Sequence, residues 1–165
     1  MSLFPKDVID LATDILSACR KRGLMIVTAE SCTGGLIAAA LTEIAGSSDV
    51  VDRGFVTYSN EAKTAMLGVK AETLGAYGAV SKKTAVEMAT GALANSLASI
   101  SVAVTGVAGP SGGSVDKPVG LVHIVVASKA VTVHRECRFG AISREQIRLE
   151  TVRTALQMIL SIVQA

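Results

Sequence analysis

The sequence is poor in aromatic residues and has little excess of either charge. Its 165 residues include no Trp, 2 Tyr and 3 Phe, and 16 Lys and Arg stand against 14 Asp and Glu. Proteins that bind nucleic acid use aromatic stacking platforms and basic stripes. This composition supplies neither, so it argues against a nucleic acid partner and against direct DNA binding.

Cysteine and histidine are also scarce. The three cysteines, Cys19, Cys32 and Cys137, are far apart and include no C-x-x-C pair. That spacing argues against a disulfide framework or a zinc site and suits a reducing compartment. His123 and His134 stand alone in apolar segments, where a structural role is the usual one. We therefore expect no metal and a cytoplasmic location.

Long apolar runs are missing as well. None approaches the roughly 18 residues that a membrane span needs. Asp7, Asp10 and Asp14 interrupt the first 22 residues, where a signal peptide would have an unbroken apolar core. Half of the residues are nonetheless hydrophobic, enough to build a core in a chain of this length. We expect one soluble domain over residues 1–165, with no membrane partner.

Helical and strand-like segments alternate along the chain. Five helices are predicted. The first follows Pro5 and ends at the C-cap Gly23, the second runs from Gly35 to near Gly46, and the third spans Asn60 to Leu67 with Gly68 as C-cap. The fourth begins after Ser81 and buries Val86, Ala89, Leu93 and Leu97, and the fifth begins at Ser143, where Gln146 completes a capping box, and buries Leu149, Val152, Leu156 and Ile159. The predicted strands begin near Leu24, run from Val50 to Tyr58 and from Ile100 to Thr105, and form a hairpin of Val119 to Ala127 with Val131 to Arg138. A glycine-containing stretch, Leu74 to Gly78, precedes the helix that begins after Ser81. Together these elements predict an α/β fold with a mixed sheet between helical layers.

Two glycine-marked junctions follow predicted strands, Ser31 to Gly35 and Thr105 to Gly113. Ligands of open α/β sheets bind outside the carboxyl ends of parallel strands, so the two junctions face one crevice if their strands are neighbours. The first junction places two possible nucleophiles, Ser31 and Cys32, at a helix N-terminus, where unpaired N–H groups favour an anion or oxyanion. The alternative is that the glycines only make turns and helix caps.

Five collinear motifs resemble one known family, that of the C-terminal domain of the competence/damage-inducible protein CinA. The resemblance spans about residues 5 to 162 and rests on Ala29 to Gly35, on Tyr58-Ser59-Asn60 with Ala62-Lys63, on Tyr77 to Ser81, on Thr105 to Pro110 and on Lys117 to Gly120.

The resemblance implies a nicotinamide mononucleotide deamidase that releases ammonia and nicotinic acid mononucleotide and serves pyridine nucleotide recycling. It implies no metal or other cofactor, and a three-layer α/β/α sandwich with a mixed, mostly parallel sheet and one antiparallel hairpin. Many relatives carry a further N-terminal domain, whereas Ser31 has only 30 residues before it, so the chain resembles the stand-alone form. The apolar stripe of the last helix favours a homo-oligomer. The alternative function is a non-catalytic nucleotide-sensing or interaction module in competence or the DNA-damage response.

The resemblance also implies site residues. Ser31 is the expected nucleophile and Lys63 the expected base, with Tyr58 and Thr105 relaying protons or holding the carboxamide. Substrate contacts are expected at Glu30, Thr33, Gly34, Gly35, Asn60, Gly106, Ala108 and Gly109. The N–H groups of Thr33 to Gly35 are the candidate oxyanion donors.

Several residues keep two interpretations at this point. Cys32 could replace Ser31 as nucleophile, and Glu30 could accept hydrogen bonds within its turn. The loop from Gly106 to Gly113, with Lys117 near its end, could approach ribose or phosphate. Arg144 and Arg148, four residues apart on the last helix, could bind phosphate or form a solvated face.

Overall fold

A computed structural model describes residues 1–165 as a five-stranded sheet between two helical layers. The strands are β1 (Ile26–Glu30), β2 (Val51–Val56), β3 (Ile100–Gly106), β4 (Leu121–Ser128) and β5 (Thr132–Arg138). The helices are α1 (Lys6–Arg22), α2 (Leu36–Thr42), α3 (Asn60–Leu67), α4 (Ala71–Tyr77), α5 (Lys82–Ala94) and α6 (Arg144–Gln164), with a 3-10 turn at Ser47–Asp49. No helix is both long enough and apolar enough to cross a membrane.

The sheet has the order β2-β1-β3-β4-β5. β1 pairs in parallel with both β2 and β3, while β4 is antiparallel to β3 and to β5. Only β4 therefore runs against the other strands. The predicted mixed, mostly parallel sheet with one antiparallel hairpin is confirmed, and β1 and β3 are direct neighbours.

Two hydrophobic clusters cover the two faces of this sheet. The larger has 26 buried residues and joins α1, α2 and α6 to the sheet, and the smaller has 11 and lies under α5. β1 serves both clusters by strand alternation, since Ile26 enters the larger while Val27 and Ala29 enter the smaller. Helices thus flank the sheet on both sides, as the three-layer prediction requires.

The helix ends follow their sequence signals closely. Gly23 and Gly68 adopt left-handed φ values of 63° and 69° at the ends of α1 and α3. The Ser81 hydroxyl accepts the Thr84 N–H, and Ser143 and Gln146 form the predicted capping box. The predicted helix Asn60 to Leu67 is confirmed residue by residue.

Four predicted details are wrong. β1 begins at Ile26 and not near Leu24, because the Leu24 N–H still donates to the Cys19 carbonyl in the cap of α1. The helix predicted to end near Gly46 ends at Thr42. The glycine-containing stretch Leu74 to Gly78, for which no element was predicted, lies mostly in α4. Val119 and Val131 precede the strands that they were expected to begin.

The buried face of α5 also differs from the prediction. Val86 and Leu93 are only partly buried, and Leu97 lies beyond the helix with 78% of its surface exposed. Ala85, Met88, Ala89 and Ala92 form the buried face. The helix turns this face inward because it packs very closely on the end of α3, where a Cβ at Gly91 would stand 1.8 Å from the Leu67 carbonyl oxygen.

His123 and His134 stack across the β4–β5 hairpin. Their ring centroids lie 5.2 Å apart at an interplanar angle of 17°, and His123 Nδ1 lies 2.9 Å from His134 Nε2. One of these nitrogens must donate and the other accept, so at least one ring is neutral. Burial lowers the pKa of both rings. The charge of His134 lowers the pKa of His123 further, and the charge of Lys82 lowers the pKa of His134 further. Glu136 opposes both shifts.

This pair predicts a loss of stability in acid. Because the folded pKa values lie below the unfolded value of about 6.5, the unfolded chain binds more protons as the pH falls. The stabilisation is complete above pH 6.5 and is lost as the pH falls through the folded pKa values. We expect the melting temperature to fall between about pH 7.5 and pH 5, and to fall less in a His123→Gln/His134→Gln variant. Equal pH dependence in both proteins would contradict this.

Candidate active site

One cavity of about 290 Å³ opens at the carboxyl ends of β1 and β3. Its walls come from both glycine-marked junctions, from the segments before α3 and α5, and from the start of α6. The lining residues are Ser31, Cys32, Tyr58, Lys63, Ala79, Val80, Thr105, Gly106, Val107, Ala108, Gly109, Ser111, Gly112 and Arg144. The adjacency of β1 and β3 thus brings the two junctions to one crevice.

Ser31 and Lys63 form the polar centre of this cavity. Ser31 follows β1 directly, and its N–H donates to the Val104 carbonyl on β3 at 3.1 Å. Lys63 lies one turn into α3, which the Ser59 side chain caps. The Lys63 Nζ lies 3.1 Å from Ser31 Oγ and 2.9 Å from the Thr57 carbonyl oxygen.

Lys63 is an unusual lysine because it is buried without a counter-ion. Only 1% of its surface is exposed, and it is absent from every ion pair of the molecule. Burial lowers its pKa below the ordinary 10.5, since a charged amine loses solvation there. A neutral Nζ beside Ser31 Oγ can accept the hydroxyl proton.

Cys32 lies in the same cavity wall, but its thiol is protonated near neutral pH. Burial raises its pKa to about 12, so the reactive thiolate is strongly disfavoured. The residue also belongs to the larger hydrophobic cluster. These surroundings are those of a small packing residue and favour Ser31 as the nucleophile.

Glu30 occupies the N-terminus of α2, and it does not line the cavity. Its Oε1 accepts the Thr33 hydroxyl at 2.6 Å and the Ile37 N–H at 2.9 Å, while Oε2 accepts the Ala38 N–H at 3.1 Å. The chain's own carboxylate therefore fills the position where the sequence suggested a bound anion. The expected substrate contacts of Glu30 and Thr33 are corrected accordingly: both side chains are buried and engaged with each other.

The predicted oxyanion cradle lies outside the cavity as well. Gly34 donates its N–H to the Ser31 carbonyl at 3.0 Å, and neither Gly34 nor Gly35 lines the cavity. Both adopt positive φ, 60° and 101°, to turn the chain into α2. The Cys32 N–H makes no backbone–backbone hydrogen bond, and Cys32 lines the cavity beside Ser31, which makes this N–H a further candidate oxyanion donor.

Thr105 and Tyr58 both face the cavity, as expected. The Thr105 hydroxyl is buried and donates to the Ala79 carbonyl at 2.8 Å, which leaves its oxygen free to accept. The Tyr58 hydroxyl accepts from Arg144 at 2.9 Å, and Arg144 also donates to the Gly109 carbonyl at 2.7 Å. Arg144 thereby bridges the two sides of the cavity.

Three other side chains differ from their expected positions. Asn60 begins α3 and faces a separate surface depression. Lys117 donates to the Tyr77 carbonyl and does not reach the cavity. Arg148 is partly buried and donates to the Cys32 and Thr33 carbonyls rather than into the cavity, whereas Arg144 is exposed and lines the cavity. Ala79 and Val80 also line the cavity; the motif Tyr77 to Ser81 contains both, but neither side chain has a reactive group that would have marked it as a site residue.

The cavity wall carries two basic side chains. Lys63 and Arg144 line it, and no carboxylate does. No three His, Cys, Asp or Glu side chains converge anywhere in the molecule to hold a metal ion. The arrangement offers a nucleophile, a base and a cation for an anionic ligand.

Comparison with known proteins adds an independent line of argument. The model of the CinA C-terminal domain family matches residues 8–163. The chain is 47% identical to the nicotinamide-nucleotide amidohydrolase PncC of Escherichia coli K12, over 92% of each chain. It is 48% identical to PncC of Enterobacter agglomerans, over 90% of each chain. The crystal structure of the competence/damage inducible protein CihA from Agrobacterium tumefaciens is 59% identical, covers 100% of both chains and superposes with a TM-score of 0.98.

Proposed function

The chain belongs to the CinA C-terminal domain family, and we propose on that basis that it is a nicotinamide-nucleotide amidohydrolase. It converts nicotinamide mononucleotide to nicotinic acid mononucleotide and ammonia, within pyridine nucleotide recycling. Relatives named for this activity match the chain over most of their length. The observation that carries the proposal is the 3.1 Å approach of Lys63 Nζ to Ser31 Oγ.

A purely ligand-sensing module would have little use for this pair. Burying an amine without a counter-ion costs stability, and replacement by an apolar side chain would remove that cost. Buried ionisable groups with a shifted pKa cluster at functional sites. The buried Lys63 beside a serine therefore favours the enzyme over the binding module.

Acylation begins with Ser31. Neutral Lys63 takes the hydroxyl proton while Ser31 Oγ attacks the carboxamide carbon, and the carbonyl oxygen becomes an oxyanion. The Cys32 N–H donates to that oxyanion. The protonated Lys63 then gives its proton to the leaving nitrogen, the C–N bond breaks, and ammonia departs from an ester on Ser31.

Deacylation reverses the roles with water as the nucleophile. Lys63 takes a proton from the water, whose oxygen attacks the ester carbon and forms a second oxyanion. Lys63 returns the proton to Ser31 Oγ as the C–O bond breaks, which leaves the product as a carboxylic acid, and this acid then loses its proton to solvent water and departs as the anion. The reaction consumes one water and needs no metal or redox partner.

The rest of the cavity suits the rest of the substrate. The Thr105 oxygen can accept from the carboxamide NH₂, because its own proton is committed to Ala79. Arg144 supplies a cation for the phosphate, close to the backbone of Gly109. The glycines of this loop let the backbone approach ribose or phosphate closely.

The direct test is to incubate the purified protein with nicotinamide mononucleotide and a chelator, and to measure ammonia and nicotinic acid mononucleotide from about pH 6 to about pH 9. We expect equimolar release of both products. Nicotinamide and nicotinamide riboside, which lack the phosphate, serve as controls and should react far more slowly. Failure of the wild-type protein to release ammonia at any of these pH values would contradict the proposal.

A further inference from the structure

The turn that carries Ser31 is held from outside the cavity by Arg148. Gly34 closes the turn by donating to the Ser31 carbonyl at 3.0 Å, so Cys32 and Thr33 are its central residues. The Arg148 Nε donates to the Cys32 carbonyl at 3.2 Å, and its terminal nitrogen donates to the Thr33 carbonyl at 3.0 Å. One guanidinium thus binds both central carbonyls.

These bonds determine where the neighbouring N–H groups point. A peptide group is planar, with its C=O and N–H on opposite sides. The Cys32 N–H belongs to the peptide whose Ser31 carbonyl accepts from Gly34, and the Gly34 N–H belongs to the peptide whose Thr33 carbonyl accepts from Arg148. Arg148 therefore fixes the Gly34 donor, and that donor in turn holds the peptide that carries the Cys32 N–H, next in the chain to Ser31.

Arg148 is well suited to hold this turn because it belongs to the rigid part of the molecule. It lies on α6, which is anchored by the fully buried Ile147 and Val152. Gly34 lies against the guanidinium, because a Cβ at this position would stand 3.4 Å from an Arg148 nitrogen. A lysine could not reproduce the planar two-donor geometry.

Arg148 does not reach the substrate cavity. It lines a different depression of about 500 Å³ on the surface, together with Phe4 and Leu149. It therefore cannot act by touching the ligand. Any effect of Arg148 on catalysis passes through the turn that it holds.

We propose that Arg148 is a positioning residue of the amidase: it fixes the Ser31 turn so that the Cys32 N–H meets the oxyanion. This rests on the proposed function. It makes Arg148 important for the rate of the chemical steps and unimportant for ground-state binding of the substrate, because an oxyanion exists only along the reaction path.

The test compares Arg148→Ala and Arg148→Lys with Arg153→Ala on the same helix, whose side chain pairs with Asp7 and Glu150 far from the turn. We expect both Arg148 variants to lose about 10²-fold in kcat, with KM within about twofold of the wild type, and Arg153→Ala to keep its activity. Guanidinium ion should restore part of the kcat of Arg148→Ala through the surface depression, and should not do so for Arg148→Lys.

The outcomes separate this proposal from the proposed function. An inactive wild-type protein would contradict the proposed function. An active wild type with unchanged kcat in both Arg148 variants, or variants with raised KM and normal kcat, would overturn the positioning role alone. If Arg148→Ala unfolds, the Arg148→Lys rates decide the matter in the same way.

Discussion

Replacing Ser31 with alanine is expected to reduce kcat by at least about 10⁴-fold, because the ester intermediate cannot form without the hydroxyl. KM should change little, since the walls of the cavity remain in place. Single-turnover measurement of ammonia release separates this chemical loss from a loss of binding. Far-UV circular dichroism and the melting temperature establish that the variant is folded.

Cys32→Ala is the matched control for this prediction. The two side chains are neighbours in the same cavity, but the Cys32 thiol has a pKa raised to about 12 and packs in the hydrophobic cluster. We expect Cys32→Ala to keep most of its kcat and to lose some stability, because the small buried side chain is replaced by a smaller one. An active Ser31→Ala protein beside an inactive Cys32→Ala protein would make the thiol the nucleophile.

The helix N-terminus next to Ser31 has a different function from the one its sequence suggests. A strand-to-helix junction with free N–H groups is a general anion site, but here Glu30 fills it with three hydrogen bonds. The carboxylate stabilises α2 and removes the N–H groups of Ile37 and Ala38 from ligand binding. In the proposed mechanism the developing negative charge is left to the turn itself, whose Cys32 N–H makes no backbone–backbone hydrogen bond.

Local signals in the sequence predicted the elements that depend on local chemistry. Ser59 and Gly68 bracket α3, and Ser143 with Gln146 begins α6, because caps act within a few residues. The α/β class followed from the alternation of elements, whereas the sequence left open whether the strands before the two junctions are neighbours, which the pairing of β1 with β3 now answers. The motif resemblance, and not periodicity, selected Lys63, which as a single residue looks like an ordinary surface lysine.

The remaining features depend on contacts between distant parts of the chain. Arg144 meets Tyr58 across 86 positions, and Arg148 meets Cys32 across 116. Their placement follows from the packing of α6 beside α2, which no local pattern encodes. The close packing of α5 at Gly91 likewise depends on the end of α3, so the buried face of that helix could not be assigned from its own sequence.

Two substitutions of Lys63 test the mechanism most directly, because together they distinguish a role as a proton acceptor from a role as a fixed positive charge. Lys63→Met removes the amine, while Lys63→Arg keeps hydrogen-bond donors but cannot be deprotonated in a protein. If Lys63 acts as the base, both variants should lose about 10³-fold or more in kcat. Substrate binding, measured by calorimetry on the Ser31→Ala background, should be nearly unchanged in Lys63→Met.

The same lysine predicts two further signatures, one in the pH profile and one in stability. Because the neutral amine is the active form and burial lowers its pKa below 10.5, wild-type kcat/KM should rise with pH through that lowered pKa and then level off. In the unfolded chain the Lys63 amine binds a proton readily at neutral pH, whereas in the folded protein its lowered pKa makes that binding less favourable. Lys63 therefore lowers the free energy of unfolding at neutral pH. Lys63→Met should therefore melt at a higher temperature than the wild type while it is inactive. Substantial activity in Lys63→Arg would show instead that Lys63 acts as a fixed cation, and Ser31 would then need another base.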